Sequence, residues 1–138
     1  MGQKPRLSHT KPSTIAGHDI PSRALDARTV DRVTGFAFVD CDPHHYPLWR
    51  CNEAELRGLV NLCRTVEQLP WPEVLTHGGL RPKTIDRAQF PAPLQATMDG
   101  CLSPDVAKIT ELRAGGRARV FGYRINAVFY LLWFDHLH

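Results

Sequence analysis

The chain has 138 residues, of which 43% are hydrophobic and 22% are charged, and its formal net charge is +3. These values are typical of a soluble globular protein with one domain. No apolar run approaches the roughly 18 residues that a membrane helix needs, and the N-terminus lacks the apolar core of a secretory signal. We therefore expect a cytoplasmic protein that has no membrane partner.

Positive charge is concentrated in two stretches of the chain. Residues 1–34 contain six Lys or Arg against three Asp, which accounts for the whole net charge, and residues 113–124 contain four Arg and no acid. The first stretch has no hydrophobic period, so we predict that residues 1–30 form a basic, disordered arm before a single domain at 31–138. Two basic stretches favour an anionic partner such as RNA, although a solvated surface would have the same composition.

The first half of the domain predicts one strand followed by two helices. Residues 34–42 alternate in side-chain size and polarity, as a strand does. Asn52 and Glu55 form a capping-box pattern at the start of a helix that Pro70 ends. A short second helix follows, with Pro72 in its first turn and glycines after it. The apolar stripe predicted for the first helix consists of Leu56, Leu59, Val60, Cys63 and Val66.

The second half of the domain predicts three strands after a long connection. Residues 80–104 are a proline-rich connection that contains at most a short helix. Gly115 and Gly116 suit a two-residue hairpin loop, and Asn126 marks the next turn. The last strand is apolar at nearly every position, so we expect it in the middle of the sheet, where both faces are covered. The three strands are predicted at residues 106–113, 117–125 and 127–135.

The element order β-α-α-β-β-β predicts an α+β fold. We expect a four-stranded, mostly antiparallel sheet with helices on one face. In this arrangement the chain end returns to the Gly115–Gly116 loop, and arginine can bind phosphate there while histidine moves a proton. The convergence predicts a phosphate-handling site, with a solvated hairpin as the alternative. The residues expected to converge are Arg113, Arg117, Arg119 and His136.

A basic loop and a Cys/His segment are the other candidate sites. His77, Arg81 and Lys83 belong to a loop whose charge suits contact with an RNA backbone. Residues 41–51 contain four competent zinc ligands, but their spacing is not that of a standard finger, and we expect no metal. The zinc alternative depends on Cys41, His44, His45 and Cys51.

The ending "ARVFGYRINAVFYLLWFDHLH" resembles the endings of the RelE/ParE superfamily of bacterial toxins. Those proteins typically finish with an Arg-bearing strand, a hairpin, an apolar strand, and a His or Arg near the C-terminus. Here the first strand supplies Arg119 and Tyr123, and His136 or His138 takes the terminal basic position. The ending also resembles uncharacterised small bacterial proteins, often on mobile elements, that finish "FGxR…VFYxLWFDxxH".

The resemblance implies a RelE-like fold and a toxin-type endoribonuclease that cleaves mRNA at the ribosome. It also implies that the enzyme uses no metal or other cofactor and that a protein antitoxin holds it silent. Tyr123 takes the place of a catalytic Tyr that many such toxins carry nearer the C-terminus. The resemblance assigns catalysis to His136, Arg119 and Tyr123 and phosphate binding to Arg113, Arg117 and Arg124, while the basic loop adds Arg81 and Lys83.

Two other functions are compatible with the sequence. A non-catalytic mobile-element protein would bind nucleic acid or a protein partner through its arm and hairpin, without cleavage. A gyrase inhibitor, as in the ParE branch of the superfamily, would share the same fold. The chain contains no P-loop or dinucleotide-binding motif, so a nucleotide cofactor is not expected.

Overall fold

A computed structural model describes residues 31–136, so the predicted arm at residues 1–30 and His138 lie outside the described residues. No helix in this part of the chain has the length and apolar content to cross a membrane. Its three helices are α1 (Glu53–Gln68), α2 (Trp71–Val74) and α3 (Ala92–Cys101). Its five strands are β1 (Gly35–Ala37), β2 (Lys83–Asp86), β3 (Lys108–Arg113), β4 (Arg119–Ile125) and β5 (Val128–Asp135).

The five strands form one mixed sheet in the order β1-β5-β4-β3-β2. β1 runs parallel to β5, whereas the other neighbouring pairs are antiparallel. The α+β class is confirmed, but four strands are one too few, because β2 lies in the connection predicted between residues 80 and 104. β2 is a short edge strand with one apolar side chain, Ile85, so its hydrogen bonds to β3 decide its conformation and no local pattern indicates it.

β5 lies between β1 and β4, inside the sheet, as its apolar sequence predicted. Phe129 and Phe134 are buried on one face of the sheet, whereas Leu132 and Trp133 are buried on the other. Two consecutive residues share a face because a β-bulge interrupts the register with β4. Both faces of β5 therefore need cover from other elements.

Helices cover both faces of the sheet, so the prediction of helices on one face is wrong. α1 and α2 pack on one face, called here the α1 face, through Leu59, Val66 and Trp71. α3 packs on the opposite face, called the α3 face, through Leu94 and Met98. The second layer is required because the central strands bury apolar side chains on both sides, and one layer of helices covers only one of them.

α1 begins with the capping box that the sequence predicted. The Asn52 side chain accepts a hydrogen bond from the backbone N–H of Glu55, and the Glu55 side chain accepts one from the backbone N–H of Asn52. Both bonds are 2.8 Å long. They satisfy two of the donors that the start of a helix leaves unpaired, which explains why the helix begins where it does.

The buried face of α1 differs from the predicted stripe. Leu56 and Val60 are 40% and 55% exposed, whereas Leu62 is buried. Apolar residues cover a wide arc of this helix, so its helical period allows more than one orientation against the sheet. Gly58 decides the orientation, because a Cβ atom there would lie 2.4 Å from the backbone carbonyl oxygen of Ala114.

The hairpin between β3 and β4 has a three-residue loop, residues 115–117, so the predicted two-residue loop is wrong. The Ala114 N–H donates a 3.0 Å hydrogen bond to the Ala118 carbonyl, which closes the loop. Both glycines of the loop have positive φ, a conformation that glycine adopts readily. The extra loop residue shifts the predicted register by one and places Arg113 directly opposite Arg119.

We expect Gly58→Ala to destabilise the protein, although alanine is the better helix former. The added methyl group would overlap the Ala114 carbonyl oxygen and push α1 away from the hairpin, which typically lowers the free energy of unfolding by about 1–3 kcal/mol. Gly100→Ala in α3 is the matched control, because a Cβ atom there meets nothing within 4 Å. We expect the control to gain up to about 1 kcal/mol in urea unfolding, and equal changes in the two variants would contradict this packing.

Candidate functional site

His136, the predicted proton-transfer residue, lies directly after β5 and against the start of α1. Its Nε2 atom is 3.8 Å from the Oε2 atom of Glu55, and its side chain is 18% exposed. Its Nδ1 atom is buried and has no hydrogen-bond partner among the described residues. The structure thus forms a histidine–carboxylate pair that sequence reasoning missed, because the only signal at Glu55 was that of a capping residue.

A surface cleft of about 420 Å³ lies beside this pair, between α1 and the hairpin. Arg57 borders it and also forms a 2.8 Å ion pair with Glu53, while Arg117 borders it from the exposed hairpin loop. A histidine beside arginines can transfer a proton and stabilise negative charge as it develops. The polar side chains that line this cleft are Asn52, Glu55, Arg57, Asn61, Arg117 and His136.

Four cationic side chains gather at the same end of the sheet, around a buried carboxylate of the α3 face. The Oε2 atom of Glu111 is 3.9 Å from Arg119 Nε and 4.0 Å from Lys83 Nζ. Desolvation and the charges of Arg81 and Arg119 lower the pKa of Arg113, and Glu111 only partly opposes this effect. The excess of positive charge attracts anions. The four side chains, called here the cation cluster, are Arg81, Lys83, Arg113 and Arg119.

Arg119 supports the hairpin loop from within the cation cluster. Its Nη1 atom donates hydrogen bonds to the carbonyl oxygens of Gly116 at 3.1 Å and Ala118 at 2.9 Å. It stands opposite Asp135 in the β4–β5 register, and its side chain is only 14% exposed. The residue predicted to be catalytic is therefore a nearly buried support of the loop that carries Arg117.

Tyr123 lies away from His136 and Arg119. Its hydroxyl group donates a 2.8 Å hydrogen bond to Asp40, and its ring stacks on Tyr130 with the ring centroids 4.9 Å apart. Burial and the contact with Asp40 raise the pKa of Tyr123 well above its ordinary value. Because Tyr123 is four residues along β4 from Arg119, roughly 13 Å at strand spacing, the structure does not bring the three predicted catalytic residues together.

The structure separates the hairpin residues into two groups at one end of the sheet. Arg117 and His136 border the cleft beside α1. Arg113 and Arg119 pair with each other in the register and lie beside Glu111, whose cross-strand partner in β4 is buried on the α3 face, and Arg113 also lines a second cleft beside α1. The three-residue loop causes this separation, because it aligns the two arginines of β3 and β4 on the same face.

Arg124 lies at the end of β4 that is remote from the hairpin. Its guanidinium group forms an ion pair with Asp31 and donates a 2.8 Å hydrogen bond to the carbonyl oxygen of Asn126. It also lies over the Trp71 ring, 5.0 Å from the ring centroid, in a cation–π contact. These contacts connect β4 to the start of α2 and place Arg124 in neither group at the hairpin end.

The Cys/His segment forms a hydrogen-bonded turn. The buried carboxylate of Asp42 accepts hydrogen bonds from the His44 N–H at 2.9 Å and pairs with the His45 ring at 2.5 Å. Cys41 and Cys51 pack against the core of the α1 face. Across the described part of the chain, no three His, Cys, Asp or Glu side chains are arranged to share a metal ion, so the structure does not bring the four candidate zinc ligands together.

Comparisons of this chain with protein-family models, with curated proteins and with solved structures find no match. The chemistry of the hairpin end therefore carries the functional argument. Its two parts are the cleft with the His136–Glu55 pair and the cation cluster around Glu111.

We expect Asp42→Asn to destabilise the protein at neutral pH by about 1–3 kcal/mol, because the buried carboxylate would lose its charge-assisted hydrogen bonds. Burial alone would raise the pKa of Asp42, but the hydrogen bonds from His44 and His45 outweigh it and hold this pKa below its ordinary value. The ionised carboxylate therefore stabilises the fold above about pH 4, and this stabilisation is lost as the pH falls through the lower pKa of the folded state.

Urea unfolding of wild type and Asp42→Asn at about pH 7 and about pH 3 measures this effect, and the difference between them should narrow at the lower pH. Asp105→Asn is the control, since Asp105 is an exposed carboxylate. A stability difference that stays constant with pH would contradict the role assigned to the Asp42 charge.

Proposed function

We propose that this protein is a toxin-type endoribonuclease with a RelE-like fold, which cleaves mRNA without a metal ion. The observation that supports the proposal most strongly is the pairing of His136 with Glu55 in a cleft that Arg57 and Arg117 border. Metal-free cleavage of RNA needs a base for the 2′-hydroxyl group and cations for the phosphate, and the cleft holds both kinds of group. The resemblance of the C-terminal sequence to RelE/ParE toxins supports the same assignment.

In the proposed reaction, the Nε2 atom of His136 accepts the proton of a ribose 2′-hydroxyl group, and the nearby Glu55 carboxylate stabilises the positive charge that the ring then carries. The 2′-oxygen attacks the adjacent phosphorus, and the bond from phosphorus to the 5′-oxygen breaks. The products are a 2′,3′-cyclic phosphate and a 5′-hydroxyl group, whose oxygen takes its proton from solvent water as His136 returns its own to solvent. Arg117 stabilises the negative charge that builds on the phosphate oxygens.

The cation cluster has a separate part in this proposal. Lys83, Arg81 and Arg113 bind phosphates of the RNA away from the cleavage site. Arg119 is a positioning residue, since it holds the loop carbonyls next to Arg117. We further propose from the resemblance that the protein works in the cytoplasm, that its RNA is presented by the ribosome, and that a protein antitoxin restrains it.

Inducible expression in a bacterial host, with mapping of new RNA 5′ ends that carry a hydroxyl group, tests the proposal. We expect growth arrest and new ends with the wild type, and about 10²–10⁴-fold less cleavage with His136→Ala, because the general base is lost. Arg117→Ala should also reduce cleavage, whereas Arg64→Ala should not, since Arg64 is an exposed residue of α1 outside the cleft lining.

Glu55→Gln separates a role in chemistry from a role in folding. Glutamine suits the third position of a capping box, so the hydrogen bond to the Asn52 N–H is kept while the charge beside His136 is removed. An unchanged unfolding midpoint with reduced cleavage is the expected result. Undiminished cleavage by a folded His136→Ala protein would remove His136 from the mechanism.

A specific observation favours the alternative function, a non-catalytic mobile-element protein that binds nucleic acid or a protein partner. Arg119 and Tyr123, which were predicted to be catalytic, instead form hydrogen bonds within the protein. A protein that only binds RNA does not need these two residues for catalysis. Such a protein would bind RNA through the cation cluster without producing new RNA ends. Its affinity would fall steeply with salt, because phosphate contacts release counterions.

Under either function, Lys83→Ala should lower the slope of log affinity for RNA against log salt by about one. The Lys83 side chain is 70% exposed, and Arg119 remains 3.9 Å from Glu111 when Lys83 is removed. Lys108→Ala is the matched control, because it removes an exposed lysine at the opposite end of β3. Equal slopes for the two variants, measured by fluorescence anisotropy, would exclude Lys83 as a phosphate contact.

A further inference from the structure

The His136 cleft continues into a second cleft along the same side of α1. The second cleft has a volume of about 300 Å³, and its lining includes Thr65, His77 and Arg113. Since the two clefts share part of their lining, they form one continuous groove, called here the α1 groove, which leads from His136 to His77. The residues that line both clefts are Gly58, Asn61, Ala114 and Gly115.

The α1 groove owes its floor to the close contact between α1 and the hairpin. Gly58 has no side chain, and the Ala114 carbonyl oxygen occupies the space that a side chain would fill. Along α1 the lining extends from Asn52 to Thr65, about 20 Å at the rise of an α-helix. A groove of this length fits an extended chain of several units better than a single small molecule.

The charge of the α1 groove suits a polyanion. Arg57, Arg113 and Arg117 line it together with two histidines, and Glu55 is the only carboxylate among its described lining residues. Glu53, which pairs with Arg57, does not belong to that lining. Positive charge distributed along the whole groove, rather than at one point, matches the regular spacing of phosphates along a nucleic-acid strand.

His77 presents a hydrogen-bond donor at the far end of the α1 groove. Its Nδ1 atom accepts hydrogen bonds from the backbone N–H groups of Gly79 at 3.1 Å and Leu80 at 3.2 Å. Because both partners are donors, Nδ1 carries the lone pair, and the proton of the neutral ring is on Nε2. The Nε2–H group and Arg113, which lines the same end, are together suited to hold a phosphate.

Asn61 lies in the middle of the α1 groove, since it lines both clefts. It is exposed, and a carboxamide offers one acceptor and two donors, which can pair with the edge of a base. Bases present their Watson–Crick edges to proteins in single-stranded RNA, whereas an RNA duplex engages these edges in base pairs. This polar contact between two phosphate-binding ends favours a single strand.

We propose that the α1 groove binds a single strand of RNA, with one phosphate at His136 and another at His77 and Arg113. Asn61 contacts a base of the segment that lies between these phosphates. We assign cleavage to the phosphate at His136 on the basis of the proposed function. Binding of the strand does not depend on the proposed function.

Fluorescence anisotropy of the full chain tests the groove with a labelled single-stranded RNA whose 2′-hydroxyl groups are methylated, so that it cannot be cleaved. Asn61→Glu places a carboxylate in the middle of the groove, and we expect binding to weaken by about tenfold or more. Val60→Glu is the matched control, because Val60 is the adjacent exposed residue and lies outside the groove lining. It makes the same change in charge and should bind nearly as the wild type does.

His77→Asn tests the far end of the groove without removing the turn. The Asn side chain can accept the Gly79 and Leu80 N–H groups as in an Asx turn, but it loses the ring donor. We expect about three- to tenfold weaker binding, as for the loss of one hydrogen bond. The same RNA sequence annealed into a duplex should bind more weakly than the single strand.

The outcomes separate this inference from the proposed function. Equal binding by Asn61→Glu and Val60→Glu would overturn the groove, even if the wild type cleaves RNA in cells. Equal affinity for duplex and single strand would overturn the single-strand assignment. Weaker binding by Asn61→Glu alone, with no new RNA ends from the wild type, would support the groove and refute the ribonuclease.

Discussion

The contact between Gly58 of α1 and the Ala114 carbonyl at the base of the hairpin is the constraint on which the rest of the site depends. A Cβ atom at position 58 would lie within 2.4 Å of that oxygen, so the helix can approach this closely only through glycine. The approach sets the rotation of α1 about its axis. That rotation directs Glu55 towards His136 and Asn61 into the groove. The packing of the fold and the composition of the candidate site therefore have one physical cause.

The position of β5 decides how the chain end contributes to the site. β5 is buried on both faces between β1 and β4, so its path across the sheet is closely constrained. It ends with Asp135 opposite Arg119, and the next residue, His136, lies against Glu55 at the start of α1. Successive side chains of a strand point to opposite faces. Asp135 therefore lies beside Arg119 of the cation cluster, whereas the next residue, His136, lies in the cleft.

The buried carboxylate of Glu111 explains how several cations share one end of the sheet. A carboxylate in this position needs positive partners, and Arg119 and Lys83 lie within 4.0 Å of it. Arg81 and Arg113 also lie in this group, and desolvation together with the charges of Arg81 and Arg119 lowers the pKa of Arg113. Like charges held close together oppose folding. The proposed contact with RNA phosphates would relieve this repulsion.

The sequence by itself determined the elements that depend on neighbouring residues. These are α1 with its Asn52–Glu55 capping box, the three C-terminal strands and the place of β5 inside the sheet. Local hydrogen bonds and apolar periodicity specify such elements directly. The sequence also identified His136, Arg117 and the other cations as candidates, because their residue types suit phosphate chemistry whatever the fold.

Only the tertiary structure decided the edge strand β2, the second layer formed by α3, the rotation of α1 and the three-residue hairpin loop. The strand, the layer and the rotation depend on partners that are distant in the chain, so no local pattern encodes them, whereas two glycines suit a hairpin loop of either two or three residues. The loop has the largest consequence, because a shift of one residue in register moves a side chain to the other face of a sheet. For that reason the sequence could name the arginines and the histidine of the site but could not tell which of them lie together.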